Sequence, residues 1–276
     1  MTVQVIAGLL IISVAIRSIL QLTGDKVTYD ATDGVSQTTG NREIQADVYD
    51  ISISSAGKLA VLADGIGKEN TGKVCADLAV KEFVEAFSLY KVLHNPEYFF
   101  QRTVYSIHMN MQKLLDERNG GASVGAVFLS DGKLYYAMAG QVKIALLRGG
   151  ELIPLSEGQT VGVLAQQAYR EGKIGRQETI WFMEDEDIFS YVGKDGFHQM
   201  EICEVPVELK NGDLAVMMTK GIYEEVSYAE LEKILTDPLF TPQDKAERIV
   251  RRAEGSVARD KENGSVMVLL TDGAMR

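Results

Sequence analysis

A strand-like run that ends in an acidic residue and enters a glycine-rich loop is the segment of this sequence best suited to chemistry. The run reads Val61-Leu-Ala-Asp64-Gly65-Ile-Gly67-Lys-Glu-Asn-Thr-Gly72. An Asp carboxylate at a strand end, beside the backbone carbonyl of a residue without a side chain, suits a hard cation. Because Asp-Gly is also a common turn, this segment alone leaves a metal site and a plain turn both open.

The elements expected around this segment are a β-hairpin and two amphipathic helices. Residues 48–54 and 58–63 are strand-like and are separated by a Ser-Ala-Gly turn, which predicts the hairpin. Apolar residues recur at three- to five-residue steps over residues 74–87, and at helical spacing over residues 100–114. This periodicity predicts two helices that pack on a sheet.

Later segments continue the pattern of hairpins and paired helices. Short strands separated by Gly-containing turns predict an antiparallel meander over residues 123–155. Further strands are expected at 199–209, 214–218 and 265–270, with helices that begin at the capping box Ser227-x-x-Glu230 and at Thr241-Pro242. Strands in hairpin runs and helices in pairs predict an α+β fold, with helices layered on antiparallel sheets.

Composition indicates a packed globular body and narrows the classes of partner. The 276 residues are 46% apolar and include five prolines. A formal net charge of −11, without a long basic run, argues against a nucleic-acid partner, since binding to phosphates needs clustered Lys and Arg. Cys75 and Cys203 lack metal-like spacing, which favours reduced thiols in a cytoplasmic protein over a disulfide or a zinc site.

The first 22 residues are apolar enough to suggest a membrane helix. Residues 3–16 carry no charge, and the apolar pattern resumes after Arg17, so that together they reach the length of a bilayer span. Arg17 and Lys26 on the C-terminal side predict a single-pass protein of the cell membrane with its domain facing the cytoplasm. The alternative is a buried first helix of the domain, because Arg17 interrupts the stretch.

The rest of the chain divides into a linker and one domain. Residues 23–40 are rich in Gly, Ser, Thr and Asp and are expected to link the N-terminal segment to the domain. Residues 41–276 show no internal repeat and no second boundary. We therefore expect a single domain over residues 41–276.

Six segments between about Gly40 and Leu270 resemble the signature motifs of the PPM-type (type 2C) metal-dependent Ser/Thr phosphatase family. The Asp-Gly-x-Gly segment at Asp64 resembles the second motif, and Arg42-Glu-Ile-Gln-Ala46-Asp47 resembles the first. The other four are Gly121-Ala-Ser, Gly140-Gln141-Val142-Lys143 with Leu155-Ser-Glu-Gly-Gln159, Gly212-Asp213 with Thr219-Lys220-Gly221, and Glu262-Asn263-Gly-Ser265. The resemblance implies a four-layer α-β-β-α sandwich with its site at one edge of the two sheets.

The resemblance also implies roles for individual residues. Family members hold two Mg²⁺ or Mn²⁺ ions with carboxylates, and a metal-bridging water attacks the phosphorus of phosphoserine or phosphothreonine. Arg42 stands at the phosphate-binding position and Asp47 at that of a supporting acid. Asp64 stands at the bridging carboxylate, Gly65 at a backbone-carbonyl ligand, and Glu262 at the last aspartate.

Several positions depart from the family pattern in ways that disfavour metal binding. Ala46 replaces an acidic or amide residue, Gln141 replaces an aspartate, and Lys220 replaces the aspartate of the Ser-Asp-Gly motif. The local charge would fall from about −4 to about −1. Lys220 is expected within salt-bridge distance of Asp64 or Glu262, in the place of a cation. The alternative is a solvated lysine that points away from the site.

These departures predict a membrane-tethered pseudophosphatase with a binding or regulatory role in phospho-signalling. Its partner would be an unidentified protein such as a phosphoprotein, and Mn²⁺ or Mg²⁺ would bind weakly or not at all. The alternative is an active or weakly active metal-dependent Ser/Thr phosphatase that uses Asp64, Gly65 and Glu262. A purely structural membrane protein is disfavoured, because Arg42, Asp47 and Asp64 keep the family spacing.

Overall fold

The computed structural model describes residues 33–116, 118–185, 187–197 and 200–271. The strands are β1 (Gly34–Thr38), β2 (Val48–Ser54), β3 (Gly57–Gly67), β4 (Gly120–Ser130), β5 (Lys133–Ala139), β6 (Lys143–Arg148), β7 (Glu151–Pro154), β8 (Glu201–Ile202), β9 (Val207–Glu208), β10 (Leu214–Met218) and β11 (Gly264–Leu270). The helices are α1 (Thr71–Ser88), α2 (Pro96–Leu115), α3 (Val161–Arg170), α4 (Arg176–Phe182), α5 (Lys220–Tyr223), α6 (Tyr228–Leu235) and α7 (Pro242–Glu254).

The strands form two antiparallel sheets. The first sheet has the strand order β1-β11-β10-β6-β7, and the second has the order β2-β3-β4-β5-β8, with β9 also paired to β5. Each pairing between these strands is antiparallel. The α+β class expected from the hairpin pattern is confirmed.

Three apolar cores separate the four layers of the fold. Side chains such as Leu62, Val127 and Met217 fill the space between the two sheets. Helices α1 and α2 cover the outer face of the second sheet, where the rings of Phe83 and Phe99 meet edge to face at 6.3 Å. Helices α5, α6 and α7 cover the outer face of the first sheet. The predicted α-β-β-α sandwich is therefore confirmed.

Local signals in the sequence set where these helices begin. Thr241 accepts a hydrogen bond from the backbone N–H of Asp244, and Pro242 occupies the first turn of α7, as expected of an N-terminal capping box. At the start of α6, the Glu230 carboxylate accepts the backbone N–H of Ser227 at 3.2 Å and its hydroxyl at 2.9 Å. These two helix starts are confirmed where they were predicted.

Two boundaries differ from the prediction. Residues 34–38, which lie within the linker that the sequence predicts, form β1 and pair with β11 from Gly34 opposite Val268. The linker assignment is wrong there, because pairing with a distant strand orders a segment of weak local preference. The strand expected at 199–209 is two short strands, since Pro206 between them has no N–H for the ladder.

The described residues contain no helix that is both long and apolar enough to cross a bilayer. The predicted single-pass location at the cell membrane, with the domain facing the cytoplasm, is therefore corrected. The apolar segment that prompted the prediction, residues 1–22, lies outside the described residues.

Candidate functional site

One edge of the sandwich gathers the residues that the sequence predicts as a site. Asp47 directly precedes β2, and Asp64 lies near the end of β3, both in the second sheet. Lys220 follows β10 and Glu262 precedes β11, both in the first sheet. The cleft at this edge has a volume of about 470 Å³ and is lined by Arg42, Glu43, Ile44, Ala46, Asp64, Gly65, Gly67, Glu69, Glu262 and Asn263.

The glycine-rich loop is required for helix α1 to approach the end of β3. A Cβ atom on Gly65 would lie 2.2 Å from the carbonyl oxygen of Gly72. A Cβ atom on Gly72 would lie 2.7 Å from the carbonyl oxygen of Gly65. Neither position has room for a larger residue without backbone movement. The two glycines therefore hold the Asp64-Gly65 peptide at the cleft.

Asp47 is a buried carboxylate that connects the two sheets. Its Oδ2 atom accepts hydrogen bonds from Thr219 Oγ1 at 2.8 Å and from Ser265 Oγ at 2.6 Å. Thr219 Oγ1 in turn accepts the backbone N–H of Ser265 at 2.8 Å. Asp47 Oδ1, by contrast, has no hydrogen-bond partner among the residues described here. One oxygen of this carboxylate thus has two donors, and the other is buried where a proton can be shared with the Asp64 carboxyl group.

Asp64 shares its surroundings with Asp47, and both carboxyl groups hold protons more tightly than usual. Loss of hydration raises the pKa of Asp64 well above its usual range, and the negative charges of Asp47 and Glu262 raise it further. The ammonium of Lys220 offsets part of this rise. Burial also raises the pKa of Asp47 to about 6, although its two hydroxyl donors act in the opposite direction. The pair therefore favours a shared proton or a nearby cation.

Glu262 lies between two cations. Lys220 Nζ and Arg42 Nη2 are each 3.8 Å from Glu262 Oε1. Lys220 Nζ also lies 3.3 Å from Glu224 Oε1, and Arg42 donates to the two carboxylate oxygens of Asp260 at 3.0 and 3.4 Å. The expected proximity of Lys220 to Glu262 is present, and its side chain, 19% exposed, does not point away into solvent. The role of Lys220 as a substitute for a metal ion stays a prediction.

The other positions that depart from the family pattern contribute no ligand to the cleft. Ala46 has only a methyl side chain, and its backbone N–H donates to Asn263 Oδ1 at 2.9 Å. Gln141 is buried in the turn between β5 and β6 and does not line the cleft.

Asp260 and Glu224, which pair with Arg42 and Lys220, are not predicted from the sequence, because no motif marks either position.

The side chains of the cleft do not fit a centre of two divalent ions. Over the described ranges, no group of three or more His, Cys, Asp or Glu side chains is placed to hold a metal ion. Ions such as Mg²⁺ need several oxygen ligands, and here Glu262 is already paired with Lys220 and Arg42. A single cation beside Asp64 is compatible with the free oxygen of Asp47.

An α-β-β-α sandwich with acidic residues at the edge between its sheets defines a phosphatase-like fold of the PPM type. No family model matches the chain. Protein phosphatase PhpP of Streptococcus pneumoniae is 24% identical over 239 residues, which are 83% of this chain and 92% of PhpP. In sequence and in fold the chain is thus similar to PPM-type Ser/Thr phosphatases.

Solved structures share the fold. The serine/threonine phosphatase of S. agalactiae superposes with a TM-score of 0.73 at 19% identity, over 86% of this chain and 97% of that one. The catalytic domain of the serine/threonine protein phosphatase PstP, in complex with two manganese ions, gives a TM-score of 0.66 at 19% identity, over 86% and 96% of the two chains. At this identity the likeness of the structures concerns the fold alone.

Proposed function

We propose that this PPM-type domain binds phosphorylated Ser or Thr segments of a partner protein in its cleft and lacks the two-ion hydrolytic centre. It would then serve as a pseudophosphatase, with a binding or regulatory role in phospho-signalling. The observation that carries this function is the position of Glu262, whose Oε1 atom lies 3.8 Å from both Lys220 and Arg42.

Electrostatics at Lys220 oppose a second divalent ion. Two unit charges 4 Å apart interact by about 4 kcal/mol at an effective dielectric constant near 20, and a divalent ion would be repelled about twice as strongly. Glu262 and Glu224 are the carboxylates nearest to Lys220 Nζ in its ion pairs, and both already compensate its charge. A metal-bridging water for attack on phosphorus therefore has no place to form.

Arg42 is the group best placed to hold a phosphate. Its side chain is 43% exposed and its main partner, Asp260, is 73% exposed. Exposed ion pairs contribute about 0–1 kcal/mol, so a phosphate can displace Asp260 at little cost. A guanidinium binds phosphate oxygens in a bidentate manner with charge-assisted hydrogen bonds. Phosphate recognition is thus supported independently of hydrolysis.

A second candidate function is slow metal-dependent phosphatase activity with one ion held by Asp64, the Gly65 carbonyl and Glu262. The similarity to proteins named as phosphatases supports it, and the free oxygen of Asp47 beside Asp64 gives a cation a favourable position. Such an ion would lower the pKa of a bound water. The comparisons support this second function better, whereas the charges around Glu262 support the first.

Two assays on the same protein separate these functions. Hydrolysis of p-nitrophenyl phosphate and of a phosphothreonine peptide is measured with Mn²⁺, with EDTA, and in Asp64→Asn. Binding of the same peptide, with and without its phosphate, is measured by fluorescence anisotropy. We expect no turnover above the Asp64→Asn background, and phosphate-selective binding that Arg42→Ala removes.

Turnover that EDTA and Asp64→Asn both abolish would establish the second function. Absence of both turnover and phosphate-selective binding would contradict the two functions together.

A further inference from the structure

Four consecutive large apolar side chains are exposed at the end of α4. They are Ile180, Trp181, Phe182 and Met183, with exposures of 50%, 70%, 46% and 52%. Trp181 is the one tryptophan of the chain. Proteins rarely expose contiguous large apolar side chains unless these form an interaction site, and aromatic residues and Met are enriched at interfaces. Residues 180–183 are called the Trp181 patch below.

Backbone hydrogen bonds fix the chain that follows the patch. In the first turn of α3, the N–H groups of Val161 and Gly162 donate to the carbonyl oxygens of Asp187 and Asp185 at 2.9 and 2.8 Å. A Cβ atom on Gly162 would lie 2.7 Å from the carbonyl oxygen of Met183, so helix and patch are in direct contact. Because the surface is already formed, binding to it needs little ordering.

Acidic residues border the Trp181 patch on both sides. Between residues 177 and 187 the sequence has five acidic residues and no basic one. Glu178 precedes the patch, and exposed Glu184 and Asp187 follow it. An apolar surface with an acidic border complements a segment that has apolar side chains on one face and Lys or Arg around them.

We propose that the Trp181 patch is a docking surface for a basic amphipathic helix of a partner protein. A second copy of this chain is a poorer occupant, because a symmetric contact would place the acidic borders opposite each other. An anionic lipid surface is disfavoured because the acidic residues around the patch would face negatively charged headgroups. The patch shares no residue with the cleft, so docking there does not depend on phosphate recognition at Arg42.

The intrinsic fluorescence of the chain tests this directly, because Trp181 is its one tryptophan. The full-length protein is titrated with an amphipathic Leu/Lys peptide of about 14 residues, which forms about four helical turns. We expect the emission to shift to shorter wavelength as the indole leaves water. A Leu/Glu peptide of the same pattern, and a Leu/Lys peptide in a non-amphipathic order, should cause no shift.

Variants locate the site by the anisotropy of the labelled Leu/Lys peptide. Trp181→Ala should weaken binding about tenfold or more, as expected for an aromatic anchor. The double variant Glu184→Lys/Asp187→Lys should weaken it as well. Leu239→Ala removes an apolar side chain that is 83% exposed outside the patch and should leave binding unchanged. All four positions are substantially exposed, so the variants are expected to fold, which their melting temperatures check.

A second charge variant is the control for non-specific electrostatic attraction between the Leu/Lys peptide and the acidic chain. Glu151→Lys/Glu204→Lys changes the net charge equally at exposed positions outside the patch, and should leave binding unchanged. Equal weakening by the two charge variants would overturn the docking site, as would equal binding of the Leu/Glu peptide. A Trp181 emission that is already shifted and depends on protein concentration would identify a second copy as the occupant and overturn it too.

Discussion

Ser265 Oγ donates a hydrogen bond of 2.6 Å to Asp47 Oδ2, and this bond links β11 of one sheet to the residue that precedes β2 of the other. Thr219, at the end of β10, donates a second bond to the same oxygen. Asp47 is 1% exposed, so these bonds form away from water. The contact gives Asp47 a structural role at the cleft that needs no metal ion.

Replacing Asp47 tests this connection between the sheets. Asp47→Ala should lower the free energy of unfolding by about 2–4 kcal/mol, since it leaves two buried hydroxyl groups without their acceptor. Asp47→Asn should cost much less, because the amide oxygen can accept both bonds and one repulsion with Asp64 disappears. Urea unfolding measures both values. Asp77→Ala, at an exposed pair with Lys73, is the control, and equal losses at the two positions would contradict the role of Asp47.

The raised pKa values of Asp47 and Asp64 predict that this pair stabilises the fold most at low pH. A carboxyl with a higher pKa in the folded chain binds its proton more tightly when folded. The contribution of such a carboxyl to the free energy of unfolding is complete below its pKa in the unfolded chain, 3.8. It is lost as the pH rises through its pKa in the folded chain, which is about 6 for Asp47. For Asp47, the rise in pKa from 3.8 to about 6 corresponds to about 3 kcal/mol of unfolding free energy.

Unfolding free energies of wild type and Asp64→Asn, each at about pH 5 and about pH 8, measure this contribution. The variant should lose less stability between the two pH values, because one acid of the pair is gone. Comparison with the variant is needed because other groups that titrate between these two pH values change the stability of both proteins alike. Identical pH profiles would show that the pair does not titrate as a unit.

The pairing of Arg42 with Asp260 predicts that phosphate binding can be strengthened by mutation. Asp260→Ala releases the guanidinium and should tighten binding of a phosphothreonine peptide by up to about fivefold, the value of an exposed ion pair. Arg42→Ala should abolish the preference for the phosphorylated peptide. Fluorescence anisotropy gives both affinities. Glu247→Ala, which releases Arg251 outside the cleft, should change nothing, and a gain there would mean that any added positive charge suffices.

The sequence predicted the parts of the site that depend on local pattern. Asp64 follows a clear hairpin strand, and the motif at Thr219-Lys220-Gly221 follows a short apolar strand, so both could be placed at strand ends. The partner of Arg42 could not be found in this way. Asp260 is 218 residues away and lies in a charged run whose spacing favours no structure.

The region of α3 and α4 was not assigned from sequence for a related physical reason. Helix α4 exposes Ile180, Trp181 and Phe182 and buries Thr179, so its apolar residues do not mark a buried face. Strand β1 was missed because its pairing with β11 is a long-range contact. Interaction surfaces and distant pairings are thus where local pattern is least informative.

The claim that Lys220 and its ion pairs exclude a two-ion centre is tested by rebuilding the acidic positions. The triple variant Lys220→Asp/Ala46→Glu/Glu262→Asp restores the family's carboxylates, and Lys220→Met is the control that removes only the charge. Metal bound at a hundred times its dissociation constant stabilises a fold by about 2.7 kcal/mol, which is visible as a rise in melting temperature.

The most direct measurement is calorimetric titration of wild type and triple variant with Mn²⁺, together with their melting temperatures. We expect little or no binding and an unchanged melting temperature for wild type, and strong binding with a raised melting temperature for the triple variant. Binding of two Mn²⁺ ions by wild type, as tightly as by the triple variant, would contradict the account.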